Sequence, residues 1–167
     1  LISVTNGGGP ASASCTPTNA AYCCGVGITN FQFNTINKTS GNASEGYRDY
    51  TCSNSTTLTA GDAVAITVTT GLTTPENVKA FIDYNNDGIF NNTNEMVFSS
   101  TNQLQTHFGV VNTPVTATLN TPLRMRVMDD RSTYPIADAC TNLNAGQAED
   151  YTITFIANTQ PPDVDFT

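Results

Sequence analysis

Gly146-Gln147-Ala148-Glu149-Asp150-Tyr151-Thr152-Ile153-Thr154-Phe155 is the stretch that decides the fold class of this chain. Tyr151, Ile153 and Phe155 alternate with Thr152 and Thr154, the period of a half-buried β-strand rather than of a helix. Counting back along that period, Glu149 falls on the core-facing side, where a carboxylate has to be paired or hydrogen-bonded. Asp150 falls on the other face with Thr152 and Thr154, and Arg124 or Arg126 is a candidate partner across strands. Adjacent residues on opposite faces cannot flank one bond, so this acidic pair does not read as a catalytic dyad.

The same period recurs outward from this stretch. Val64, Ile66 and Val68 alternate with Ala65 and Thr67, and Val78, Ala80 and Ile82 with Lys79 and Phe81. Leu104, Thr106, Phe108 and Val110 form a further set, as do Leu123, Met125 and Val127 against Arg124 and Arg126. Gly, Pro, Asn and Asp punctuate the runs, for example at Ala60-Gly61-Asp62 and Asn120-Thr121-Pro122, and no stretch has convincing helical spacing. Many short half-buried strands between turn signals predict an all-β fold, an antiparallel β-sandwich of the jelly-roll or immunoglobulin-like kind. The sandwich is expected over 14–157. Residues 1–13, with Gly7-Gly8-Gly9-Pro10, read as a flexible leader, and 158–167, with Pro161-Pro162, as a linker toward a following domain.

The 167 residues suit one domain with a sizeable core. The formal net charge of −8 leaves no basic stripe for phosphates, so nucleic acid is not an expected partner, and a polyanionic ligand would be repelled at long range. No run approaches the roughly 20 apolar residues of a membrane span. Five cysteines (Cys15, Cys23, Cys24, Cys52 and Cys140) point to an oxidising, secreted or cell-surface setting. Disulfides are a better reading than zinc, because no Cys-x-x-Cys occurs and His107 is the only histidine. The odd count leaves one cysteine free or paired outside the chain.

Asp83-Tyr84-Asn85-Asn86-Asp87-Gly88-Ile89 carries the second signal. Asp83, Asn85 and Asp87 occupy alternate positions of a turn, Gly88 permits the sharp bend, and the Ile89 carbonyl can add a ligand. That is an oxygen-only donor set of the kind a hard cation such as Ca2+ requires. Glu95 lies one position later than in a helical EF-hand loop, and the loop leaves a strand rather than a helix. The competing reading is an Asx-rich turn that caps its own backbone. A structural Ca2+ held by Asp83, Asn85, Asp87, Ile89 and Glu95 is the expectation, with no acid–base role for these carboxylates.

Catalysis is not expected. No nucleophile elbow, His-Glu-x-x-His or phosphate loop is present, and His107 reads as a solvent-face residue of its strand. A binding module is the alternative class, with polysaccharide as the expected partner. Tyr84, His107, Phe108 and Tyr134 are the candidate rings, and Arg131, Asp129 and Asp130 the polar candidates. A structural spacer or protein-binding domain remains beside it, since that needs only the fold, the loop and the disulfides.

The order of motifs resembles the GEVED domain, a β-sandwich module of secreted proteins from Bacteroidetes-type bacteria. The residues that carry the resemblance are Tyr22-Cys23, Tyr47-Arg48-Asp49-Tyr50-Thr51, Asp83 to Phe90, Arg124-Met125-Arg126-Val127, Cys140 and Gly146 to Thr152. Gln147-Ala148 stands where the family has Glu-Val, and Cys15, Cys24 and Cys52 are additional. The resemblance implies a Cys23–Cys140 disulfide, with Cys24–Cys52 as a second bridge and Cys15 left over. It also implies an accessory domain of secreted peptidases, glycan-degrading enzymes or adhesins exported by the type IX route.

Overall fold

The computed structural model describes residues 8–159. The leader and linker expected at 1–13 and 158–167 therefore lie partly outside the described residues. Ten strands run in chain order: β1 Asn30–Phe33, β2 Ile36–Thr39, β3 Tyr47–Asp49, β4 Ser55–Thr59, β5 Ala63–Thr69, β6 Glu76–Ile82, β7 Met96–Gln103, β8 Thr106–Asn112, β9 Pro122–Arg131 and β10 Gln147–Ile156. Among the described residues the only helical element is a 3-10 turn, Ala43–Glu45.

Two sheets face each other. One has the order β2-β1-β5-β8, and the other runs β3-β10-β9-β6-β7 with β4 also on β10. The alternation read in the sequence does the packing between them. Ile66, Val68, Val78, Ala80, Ile82, Leu123, Met125, Val127, Tyr151, Ile153 and Phe155 all lie in the main core with Phe31 and Phe33. At about 1.5–3 kcal/mol for each large apolar side chain fully buried, this cluster is the chief favourable contribution to folding.

The fold departs from the expected antiparallel sandwich in one respect. β3 and β4 both run parallel to β10, pairing Tyr47–Asp49 with Ala148–Asp150 and Ser55–Thr59 with Thr152–Ile156. The sandwich is thus mixed, with β10 as the strand on which the order turns. This pairing joins segments about a hundred residues apart, and no local turn announces it.

β9 and the first half of β10 are buried on both faces. Beneath the outer face of the larger sheet lies a second apolar cluster of Phe81, Phe90, Met128, Ile136, Ala139, Leu143 and Ala148. The loop after β9 covers it, together with the segment entering β1. That segment is pinned by Ser14 N donating to Gly88 O at 2.7 Å and Ala20 N donating to Leu143 O at 2.9 Å. Gly146 shows why the loop can close so tightly, because a Cβ there would stand 1.8 Å from the Asp129 carbonyl oxygen.

The disulfide differs from the pairing that the resemblance implied. Cys140 bonds Cys15, with Cα atoms 5.6 Å apart, and Cys23, Cys24 and Cys52 are free thiols. Cys15 lies where the entering segment crosses the outer sheet face, within reach of the Cys140 loop, and its carbonyl accepts from Arg126 Nη1 at 3.1 Å. Cys23 lies on a different turn and is engaged by Arg131 instead.

Candidate functional site

The acidic entry to β10 is a structural device whose two halves work on different faces. Glu149 is fully buried between the sheets, where Tyr151 Oη donates to Oε2 at 2.6 Å and Gln147 Nε2 donates to Oε1 at 3.0 Å. Asp150, fully buried on the other face, accepts from Arg126 Nε at 2.7 Å and Nη2 at 2.8 Å, from Arg124 Nη1 at 2.9 Å and from Tyr47 Oη at 2.8 Å. The cross-strand register that sets Asp150 opposite Arg126 and Thr152 opposite Arg124 makes this geometry. Arg124 also reaches Asp49 at 3.0 Å, and the Arg126 guanidinium lies 5.0 Å from the centre of the Phe90 ring. Every carboxylate here is committed to a partner, so the pair acts as a clasp between β3, β9, β10 and the entering segment.

Burial pushes the Glu149 carboxyl up to about 7, partly offset by its bond to Tyr151 and the charge of Lys38. An acid whose folded value lies above its unfolded one favours the native state below the unfolded value. That contribution is lost as pH rises, here between about 4.5 and 7. Glu149→Gln should therefore gain melting temperature relative to the wild type as the buffer moves from pH 5 to pH 7.5. A difference that stays flat across that range would show that Glu149 titrates normally.

The loop after β6 keeps the donor pattern read from the sequence. Asp83 Oδ2 accepts from Gly88 N at 2.8 Å and Oδ1 from Asp87 N at 3.1 Å, Asn85 Oδ1 accepts from Asp87 N at 3.1 Å, and Asp87 Oδ1 accepts from Ile89 N at 2.8 Å. Glu95 accepts from Tyr84 N at 3.0 Å and Asn91 N at 2.7 Å. Gly88 has φ +81°, and a Cβ there would meet the Ser12 carbonyl oxygen at 2.4 Å. Burial raises the carboxyls of Asp83 and Glu95, with the charge of Asp87 adding to the first and that of Asp83 to the second. Such crowding is what a bound divalent cation relieves. Among the described residues no three His, Cys, Asp or Glu side chains gather as a ligand set by themselves. The side-chain oxygens of Asp83, Asn85 and Asp87 cap the loop's own backbone amides, the arrangement of the Asx-rich-turn reading, and Glu95 braces the loop backbone in the same way.

The candidate ligand residues do not come together. Tyr84 is in the core, its ring 5.8 Å from that of Phe155. His107 is fully buried rather than on the solvent face, with Nδ1 2.9 Å from Ser100 Oγ and Nε2 3.4 Å from Thr70 Oγ1. Burial takes its imidazole down to about 4, so it is neutral at physiological pH. The register of β8 is opposite to the apolar alternation, with His107 and Val111 inward and Phe108 and Val110 outward. Gly109 explains this, since its bare Cα leaves room for the Phe98 ring at the sandwich edge. Asp129 and Asp130 are buried and hold the 144–147 loop through the amides of Gln147, Asn144 and Ala145. Arg131 reaches Cys23, and Tyr134 is 38 % exposed on the loop after β9, away from Phe108 at 66 % on β8.

A concave surface that none of these residues lines lies elsewhere. β4 and β5 diverge from the Ala60–Asp62 turn, one toward each sheet, and leave an open groove of about 540 Å³. Its polar lining is Gln32, Asn34, Thr57, Thr59, Asp62 and Thr67, with Val64 beside them, while the Phe33 and Leu58 side chains are buried in the core beneath. The groove continues onto the outer face of the smaller sheet, where Thr67 stands opposite Phe108 and Ala65 opposite Val110. These groove residues are absent from the sequence-based set. Their one signal was the polar half of the Asn30-Phe31-Gln32-Phe33 alternation, which marks a solvent face but not a concave one.

Residues 77–154, from β6 through most of β10, match the GEVED domain family. The matched region contains the Asp83 loop, the Arg124/Arg126 strand and the Glu149–Asp150 clasp. No curated protein matches the chain. Among the described residues no helix is long and apolar enough to cross a membrane.

Proposed function

We propose that this chain is a non-catalytic, polysaccharide-binding accessory module of a secreted multidomain bacterial protein, braced by Ca2+. The observation that carries the reading is the groove between β4 and β5. It offers amide, hydroxyl and carboxylate side chains and opens onto a sheet face bearing the exposed Phe108 ring. Sugars are bound by that combination, hydroxyl groups pairing with planar amides and carboxylates while their C–H faces pack on apolar surface. The net charge of −8 directs the reading to neutral glycans.

Ca2+ at Asp83, Asn85, Asp87 and Ile89 would brace the β6–β7 connection against the entering segment at Ser12 and Ser14, and supply no chemistry. Its removal with EDTA should lower the melting temperature by several degrees, and Asp87→Ala should abolish that difference. Identical melts in Ca2+ and EDTA would remove the cation from the account. Secretion, the Bacteroidetes-type source and type IX export belong to this same reading and rest on the family likeness.

The groove is tested by Gln32→Ala and Phe108→Ala, both at exposed positions, in a pull-down on insoluble cellulose, chitin, xylan and mannan. Each variant should melt with the wild type yet lose at least about tenfold in binding, the size of one good contact of roughly 1.4 kcal/mol. Retained binding in both would place the site off this face. A spacer that orients a neighbouring domain is the second reading. It is favoured by the exposed rings of Phe108 and Tyr134 standing apart rather than forming one strip.

A further inference from the structure

The outer face of the smaller sheet stands open, with Gln32, Asn37, Thr39, Thr106 and Phe108 all exposed along it. It is also without charge. The chain has 14 acidic and 6 basic residues, yet β1, β2, β5 and β8 carry one formally charged side chain, Lys38. Lys38 pairs with the inward Phe31 and lies over the Tyr50 ring, 4.5 Å from its centre, so it is turned away from this face.

Cross-strand register gathers the outward residues into rows. Asn37, Gln32, Thr67 and Phe108 stand side by side on β2, β1, β5 and β8, and Thr39, Asn30, Thr69 and Thr106 form the next row. Three strand spacings of about 4.8 Å make each row roughly 14 Å long. β2 and β8 are the sheet edges, so no further strand of the sheet walls off either end of a row. The amides are ordered among themselves. Gln32 Nε2 donates to Asn30 Oδ1 at 3.0 Å, and Asn30 Nδ2 donates to Asn37 Oδ1 at 3.0 Å. The Gln32 amide oxygen and the Asn37 amide nitrogen are left to bond a ligand, and side chains held in advance lose less entropy when they do.

We infer, on the polysaccharide reading above, that the glycan site extends from the groove across this whole face, and that an extended neutral chain lies across the strands along the Asn37–Phe108 row. A row open at both ends takes an internal stretch of a chain rather than a chain end or a single sugar. The absence of charge matches a neutral, hydroxyl-rich ligand. A second copy or another protein would call for an apolar centre to the patch, and in these two rows only Phe108 is apolar.

The test compares the wild-type domain with Asn37→Ala/Thr106→Ala, a double variant on the two edge strands and outside the groove, on insoluble cellulose, chitin, xylan and mannan. The double variant should melt with the wild type and lose at least about tenfold in binding, as the loss of two hydrogen bonds does. Long soluble oligosaccharides of the glycan that the wild type binds should compete at least about tenfold better than its monosaccharide. If the double variant does not fold, this dependence on length decides. Full binding by the double variant with loss in Gln32→Ala would confine the site to the groove, overturning the extended face and leaving the polysaccharide reading in place. Equal competition by monosaccharide and oligosaccharide would overturn it in the same way. A wild type that no glycan depletes would remove the polysaccharide reading and the extended face together. Wild-type dimers that the double variant abolishes, with glycan binding unchanged, would make the face an interface between copies and overturn the inference.

Discussion

Asp150→Ala is expected to cost about 3–5 kcal/mol of folding stability, the range found when one partner of a buried ion pair is removed. Asp150 is fully buried and holds Arg126 through two bonds, Arg124 through one and the Tyr47 hydroxyl through another. Without it the Arg126 guanidinium, also fully buried, keeps only the carbonyls of Cys15 and Ala139 and the Cys15 sulfur as acceptors. Asp150→Asn should be nearly as damaging, since a neutral amide cannot balance two guanidinium groups. Asp150 joins β3 to β9 and β10, and its partners Arg124 and Arg126 bond the entering segment at Ala11 and Cys15, so the loss should reach the whole cooperative unit. Urea unfolding followed by far-UV circular dichroism measures it, and a midpoint shift worth less than about 1 kcal/mol would show that the clasp is not what holds these strands.

Opening the Cys15–Cys140 disulfide should cost about 4–5 kcal/mol. The bond closes a loop with a sequence separation of 125, and the chain-entropy model assigns a cross-link of that span close to its largest stabilisation. The double variant Cys15→Ser/Cys140→Ser should melt well below the wild type and match the wild type in strong reductant. Cys23→Ser should leave the melting temperature within a degree or two, because Cys23 takes no part in the bond. A large loss in Cys23→Ser with none in Cys15→Ser would restore the pairing implied by the family resemblance.

Much of the scaffold was legible because it is local. The strands β5, β6, β9 and β10 follow from period-two runs with turn residues at their ends, and the split of Glu149 and Asp150 onto opposite faces follows from the same count. The partners of Asp150 were legible too, since Arg124 and Arg126 recur at the strand period. Non-local features were not. Nothing in Tyr47–Asp49 or Ser55–Thr59 says that these segments run parallel to β10, and nothing in the cysteine spacing favours Cys15 over Cys23 for Cys140.

The register of β8 was misleading for a physical reason. It is an edge strand that carries Phe108 and Val110 outward and uses its inner face for a hydrogen-bonded histidine, so apolar alternation there marks the solvent side. The Asp83 loop was legible as an Asx-rich turn and in its need for Gly88. The groove was not, because it arises where two strands diverge toward different sheets, a property of topology rather than of any residue in it.

The function proposed for this domain is to hold a neutral polysaccharide. The most direct test is depletion of the wild-type domain from solution by insoluble cellulose, chitin, xylan and mannan, run in parallel with Ca2+ and with EDTA. Selective depletion by one of these glycans, weaker in EDTA, is the predicted result. A domain that stays in solution with every glycan, under conditions where its melt shows it folded and Ca2+-loaded, would contradict the claim and leave the spacer reading in its place.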